Sequence, residues 1–295
     1  MATYLDPKND LTFKRIFGEH PDLLISFLNA LMPFEEGQII TEVEYLSPEQ
    51  VPDNPLKRNS IVDVKCKDSY NRIFIVEMQM LWDKYFNNRL VFNAGKAYVR
   101  QLERKEDFSL LKPVYSLAIL NENFEHDTEN FYHHFQIANR ENTDEVIQGL
   151  EFVLIELKKF VPQTLAERKM TVLWLRFLKE VGEDMKLLPK EMQENELIYK
   201  ASELCREGTL TDGEFEAYEK YWDIIRTEKT LLYNAEARGE ARGEARGEAR
   251  GKAEGRTEGE VKKAVEIAIK MKTNGIPFEQ ISEYTGLSIA EIKEL

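Results

Sequence analysis

Cysteine is nearly absent: Cys66 and Cys205 are the only two among 295 residues. Two thiols cannot build a disulfide framework, and the chain reads as the product of a reducing, cytoplasmic compartment with two inert thiols. Long apolar runs are missing too. None approaches the roughly 20 residues that span a bilayer, so no membrane segment is expected. The opening MATYLDPKND has neither a basic stretch nor an apolar one and does not read as a secretory signal. An excess of positive charge is also lacking. There are 53 acidic residues against 40 basic ones, a net charge of −13, which argues against a basic coat for non-specific DNA binding. A small basic cleft can still sit on an acidic body. The four histidines, His20, His126, His133 and His134, show no metal-ligand spacing, and no Gly-rich phosphate loop or nucleophile elbow is present.

What is present is a polar trio on two apolar runs. IVDVKCKD (61–68) and RIFIVEMQM (72–80) are rich in β-branched and aromatic residues, and the turn chemistry of SYN (69–71) separates them. Read as a hairpin, the pair carries Asp63 on one strand and Glu77 and Gln79 on the other. Residues two apart share a strand face, so Glu77 and Gln79 point one way and Met78 the other. Two carboxylates and an amide would converge, and a hard divalent cation relieves the repulsion between such carboxylates. Glu77 is the harder residue to explain without a partner, because it lies within an otherwise apolar strand.

Further elements follow from periodicity. Residues 10–32 read as a helix interrupted near Gly18–Pro21, and 38–46 as a half-buried strand. The segment 47–60, with three prolines, reads as a loop. A helix is expected from about Tyr85 to Arg104, a doubly buried strand over 113–121, and two more strands over 131–138 and 150–160. This order predicts an α/β fold, a mixed sheet with helices on its faces. From Thr164 to about Leu232 the pattern is helical. Lys84, Arg89, Lys96 and Arg100, interleaved with Tyr85, Phe86, Phe92 and Tyr98, form the best local candidate for a nucleic-acid surface; a solvated basic helix face is the plain alternative.

Residues 236–259 are low complexity: EARG occurs four times in tandem, then KAEG and RTEG. A helix of period four stacks glutamate on glutamate and arginine on arginine, and its glycines each cost about 1 kcal/mol against alanine. Such a helix is weak alone, whereas two copies can set a glutamate ridge against an arginine ridge. Self-association through 236–295 is therefore one expectation and a flexible charged linker the other. Residues 260–274 resume an amphipathic helix that stops at Asn274–Gly275, and the end reads as helix, Thr285–Gly286 turn, helix, with a capping box from Ser288 to Glu291. This last unit is acidic, which favours packing or protein contact over approach to phosphates. The expected domains are 1–160, 161–232, 233–259 and 260–295.

Five segments in order resemble the recombination-promoting nucleases, also described as PD-(D/E)XK nuclease family transposases: PKNDLTFKRIFG (7–18), LLISFLNAL (23–31), the IVDVKCKD strand, the VEMQM strand and YFNNRLVFNAGKAYVRQL (85–102). The resemblance implies a restriction-endonuclease-like core that cuts DNA with Mg²⁺, Mn²⁺ or Ca²⁺ being alternatives, in recombination, transposition or defence. It assigns Asp63 and Glu77 as metal ligands, with the Met78 carbonyl as a further donor, and places Gln79 where the namesake motif has lysine. Lys65, Lys96 or Arg100 would then supply the missing charge, and Asp10, Lys14 or Glu19 a further contact. Tyr98 and Gln101 also match, with packing and capping as the equal alternative on a helix. Two rivals remain open: a nuclease fold that no longer cuts and serves as an interaction or self-assembly module, and an RNA-directed nuclease.

Overall fold

The apolar runs become strands of one mixed sheet. The computed structural model describes residues 4–35, 37–50, 60–103, 105–124, 128–162 and 169–295. They fall into two units, Met1–Thr227 and Glu228–Leu295. In the first unit the strands are β1 (Val43–Tyr45), β2 (Glu49–Gln50), β3 (Ser60–Ile61), β4 (Val64–Asp68), β5 (Ile73–Gln79), β6 (Val114–Leu120), β7 (Tyr132–Ala138) and β8 (Val146–Glu156). Six of them form a sheet in the order β1-β4-β5-β6-β8-β7, and β2 pairs with β3 separately. The β4–β5 hairpin is antiparallel, whereas β5–β6 and β6–β8 are parallel. Parallel neighbours need a long crossover. Helix α3 (Phe86–Val99) lies in the first of these. β6 is buried at every position, as expected of a central strand covered on both faces.

The two faces carry different helices. Phe74, Val76, Val64 and Cys66 pack with α1 (Asp10–Glu19), α2 (Pro21–Leu31), α4 (Met170–Glu180) and α6 (Glu196–Leu204) in the main core. Phe17, Phe27 and Trp174 meet at its centre, with ring centroids 4.3–5.5 Å apart. On the other face Ile73, Ile75 and Val114 pack against Ala94 and Ala97 of α3. The helical segment expected at 161–232 thus shares its core with the sheet; it also contains the short α5 (Lys190–Gln193). Both thiols are buried, and burial pushes Cys66 up to about 12 and raises Cys205 further.

Several boundaries differ from the sequence reading. The strand expected over 38–46 shrinks to β1, because Asn29 takes the backbone of Ile40 from both sides, donating to its carbonyl and accepting from its N–H at 2.8 Å. The strand expected over 61–68 breaks at Asp63. Val62 packs on the α3 face and Val64 on the opposite one, so the alternation fails there and β4 starts only at Val64. Within the loop expected at 47–60, residues 49–50 and 60–61 pair as β2 and β3, and 51–59 lie outside the described residues. β8 begins at Val146, four residues before the expected strand; Gly149, at φ 154°, follows its irregular start and accepts the Tyr98 ring at 3.5 Å from where a Cβ would be. α3 stops at Val99, short of Arg104.

The hairpin turn holds a buried ion pair between Asp68 and Arg72. Asp68 accepts from the N–H groups of Tyr70 and Arg72, and Asn71 takes φ 61°. The Arg72 guanidinium bonds Asp68 at 2.7 Å and the Gln38 carbonyl at 2.8 Å, and lies 4.9 Å from the Phe34 ring centre. Both charges are buried. Arg72→Met is expected to cost about 3–5 kcal/mol, because it strands a buried carboxylate. Urea denaturation reads this directly, and a loss below about 1 kcal/mol would contradict the pairing.

α7 (Asp212–Thr273) is continuous through the EARG tetrads. Its Tyr218 belongs to the first unit: the hydroxyl accepts from Asp6 N–H at 2.9 Å and donates to Glu183 at 3.1 Å. In the second unit Ala268, Ile281 and Ile292 form a small core joining α7 to α8 (Phe278–Thr285) and α9 (Ile289–Glu294). Gly286, at φ 73°, ends α8, and Ser288 with Glu291 forms the expected capping box. No helix among the described residues is long and apolar enough to cross a membrane.

Candidate active site

The site is built where α3 crosses β5 in the opposite sense. Four helical residues advance about 6.0 Å and two strand residues about 6.6 Å, so the repeats nearly match. Arg89 therefore reaches Gln79, with Nη2 2.8 Å from Oε1, and Asn93 reaches Glu77, with Nδ2 2.9 Å from Oε1. One turn further on, Ala97 packs with Ile75 in the same cluster. A polar pair thus continues the seam that begins as apolar packing.

Asp63 joins them from the end of the neighbouring strand. The β4–β5 register pairs Val64 with Val76, and one residue beyond it Asp63 comes level with Glu77. Its Oδ2 accepts from the Met78 N–H at 2.6 Å. Burial pushes the Asp63 carboxyl up to about 7, with the Glu77 and Asp10 charges acting in the same direction and the Met78 N–H and Lys14 opposing it. Burial also raises Glu77, against the Asn93 hydrogen bond and the Arg89 charge. The two carboxylates are therefore held close, and burial disfavours the charge on each.

Asp10 and Lys14 form an ion pair of 2.7 Å on α1, within electrostatic reach of Asp63. Glu19 sits at the far end of α1 and acts on Tyr45 instead. Lys65 lies beside Arg100 and Lys96; burial first, then those two charges, pushes its amine below the usual lysine range. Lys96 approaches Ser60 at 3.4 Å, and Lys84 lies over the Tyr85 ring. A cleft of about 870 Å³ is walled by Ser60, Asp83, Tyr85, Arg89, Phe92 and Asn93, among others. Tyr98 packs with Ile75 and Val114 and lies against Gly149, while Gln101 bonds the Lys112 backbone at 2.8 and 2.9 Å. The Tyr98 contacts are of the packing kind and those of Gln101 of the capping kind. His133 pairs with Glu156 and His134 with Glu151, on separate partners.

The family PD-(D/E)XK nuclease family transposase matches residues 7–235, most of the chain. The chain belongs to this family. No curated protein and no solved structure matches it. The six-stranded mixed sheet flanked by helices is the restriction-endonuclease-like fold of a PD-(D/E)XK protein, and the family assigns a nuclease-like or transposase-related function.

PD-(D/E)XK nucleases typically use divalent metal ions, and the residues present fit one. Asp63 and Glu77 offer an all-oxygen donor set, which suits a hard cation. Beside them Asn93 Oδ1 is buried with no hydrogen-bond partner among the described residues. Among those residues no cluster of three or more His, Cys, Asp or Glu gathers. Two carboxylates are the number Mg²⁺ commonly takes from a protein, the rest of its shell being water and substrate. Asn93 was not singled out by the sequence reading. The available signal was its place four residues after Arg89 and four before Ala97, an amide on the buried stripe of α3.

Proposed function

We propose that this PD-(D/E)XK protein is a metal-dependent DNA endonuclease, with Asp63 and Glu77 as the ligands of Mg²⁺ or Mn²⁺. The observation that carries the reading is the register that brings Asp63 level with Glu77, whose carboxylate is hydrogen-bonded to Asn93 on the wall of the cleft. When bound, the cation supplies Lewis-acid polarisation of a phosphodiester oxygen and a lower pKa for a nearby water. The chain's own residues do the rest. The Met78 N–H fixes one oxygen of Asp63, and Asn93 fixes one of Glu77, leaving the second oxygen of each for the ion. Lys65, Lys96 and Arg100 add a local basic patch on an acidic body, and such a patch favours a phosphate backbone. Recombination, transposition or defence in the cytoplasm is the proposed setting.

The test is supercoiled plasmid incubated with Mg²⁺ or Mn²⁺. The parent chain is expected to nick it, and EDTA, Asp63→Ala or Glu77→Ala to abolish nicking. Equal cutting by parent and variants would remove the assignment. An RNA duplex and a single strand run alongside give the sugar and strand preference.

We also propose that the tetrad helix pairs with a second copy of itself. Within EARG repeats Glu and Arg are never three or four residues apart, so they cannot pair along one helix. Among the described residues no ion pair joins Glu236, Glu240 or Glu244 to Arg238, Arg242 or Arg246. Within the repeat segment, intrahelical pairs among the described residues begin where the charge order inverts, at Lys252–Glu248, Arg250–Glu254 and Arg256–Glu260. The inversion keeps a rule: Glu236/Arg238 through Glu248/Arg250, then Lys252/Glu254, Arg256/Glu258 and Glu260/Lys262 always carry opposite charges two residues apart. A parallel two-fold across the glycine ridge sets each first position of one copy beside the third position of the other. Sedimentation of the full chain is expected to show a dimer. Changing Arg238, Arg242, Arg246 and Arg250 to Glu should give a monomer, and mixing that variant with one carrying Arg at Glu236, Glu240, Glu244 and Glu248 should restore pairing. A monomeric parent would contradict the idea.

A further inference from the structure

Gln79 stands where the namesake motif has lysine, and a neutral amide cannot oppose the negative charge that builds on a phosphodiester under attack. The amide is engaged at both its nitrogen and its oxygen nonetheless. Its Nε2 donates to the Leu81 carbonyl, which fixes its orientation, and its Oε1 accepts from Arg89 at 2.8 Å. Arg89 is held from a second side by Asp83, Nη1 to Oδ2 at 3.0 Å, and its guanidinium lies 5.2 Å from the Phe86 ring centre. Three contacts of different kinds thus fix one side chain on the cleft wall. Its charge acts on Glu77, one of the two carboxylates. Among the described residues two of the five guanidinium N–H groups are committed, which leaves three for a ligand.

We propose that Arg89 supplies the positive charge that faces the scissile phosphodiester, and that Gln79 is the positioning residue that aims it. The assignment rests on the hydrolytic reading above. A guanidinium stays charged at any working pH and presents paired donors that match two phosphate oxygens, which an ammonium does not. The helix therefore contributes what the strand position lacks, and Gln79 does not mark a dead site. Lys65, Lys96 and Arg100 are left to contact the nucleic-acid backbone away from the reacting bond.

Steady-state cleavage of a labelled DNA duplex in saturating Mg²⁺ tests this. Arg89→Ala is expected to lower kcat by about 10²-fold, the usual size of losing one preorganised donor at a developing charge. Affinity for the duplex, measured by anisotropy in EDTA, should stay within about threefold, because one phosphate contact contributes little to the whole. Arg89→Lys should recover part of the rate, and guanidinium ion added to Arg89→Ala should raise it, which a merely structural role would not produce. Gln79→Ala should lose about tenfold, since the charge remains but is no longer aimed. Arg89→Met keeps the stem over Phe86 and should behave as Arg89→Ala if the alanine variant melts early. Cleavage that Asp63→Ala abolishes while Arg89→Ala and Arg89→Met cut at the parent rate would overturn the assignment alone. A parent that never cuts would remove the hydrolytic reading, and this assignment with it.

Discussion

Glutamine in place of Glu77 is expected to leave plasmid cleavage at least about 10³-fold below the parent, with no loss of folded stability. The substitution removes a charge and keeps the shape, and the Asn93 amide can still donate to the new carbonyl oxygen. A bound cation supplies several kcal/mol of charge stabilisation to the transition state. About 4 kcal/mol corresponds to 10³ in rate. Burial raises the Glu77 carboxyl above its ordinary value, so the charged form is not what holds the fold together. A variant that melts like the parent and no longer cuts places the effect on chemistry. A variant that cuts at the parent rate would take Glu77 out of the site.

The second large effect is one of stability. Asp63→Asn is expected to stabilise the metal-free chain at neutral pH by up to about 4 kcal/mol, the equivalent of the roughly three pKa units by which burial lifts the carboxyl. The folded-state value is raised to about 7. Between about pH 4 and pH 7 the folded chain therefore binds more protons than the unfolded one, and this group's contribution to stability falls as pH rises. Asparagine can accept the same Met78 N–H bond without a charge. Melting in EDTA should show little gain at pH 4 and a gain on the order of 5–10 °C at pH 8. Saturating Mg²⁺ should narrow the gap at pH 8 by stabilising the parent alone. A variant less stable than the parent at pH 8 in EDTA would mean that Asp63 is a structural charge.

Much of this was legible in the chain. The β4–β5 hairpin, the interrupted N-terminal helix, the doubly buried β6 and the Ser288 capping box all follow from period and turn chemistry. What was not legible depends on tertiary partners. Asn29 claims the backbone of Ile40 and prevents a strand that the alternation predicts. Val62 and Val64 are both apolar, so nothing local announces that the chain reverses faces between them and leaves Asp63 in a bend. The pairs Arg89–Gln79 and Asn93–Glu77 need the helix laid antiparallel on the strand, a fact of packing and not of pattern. Arg89 stands in the basic run that the sequence offers as a nucleic-acid surface, and its partners Gln79 and Asp83 emerge only in the fold. Tyr98 and Gln101 match the family's helix, and their contacts with Gly149 and the Lys112 backbone emerge only in the fold.

Mn²⁺ binding to the full chain, followed by electron paramagnetic resonance, tests the central claim most directly. The parent is predicted to bind one ion per chain that Mg²⁺ displaces, and Asp63→Asn and Glu77→Gln each to lose that ion while keeping the parent's far-ultraviolet spectrum. Binding of the same stoichiometry and strength in both variants would contradict the account.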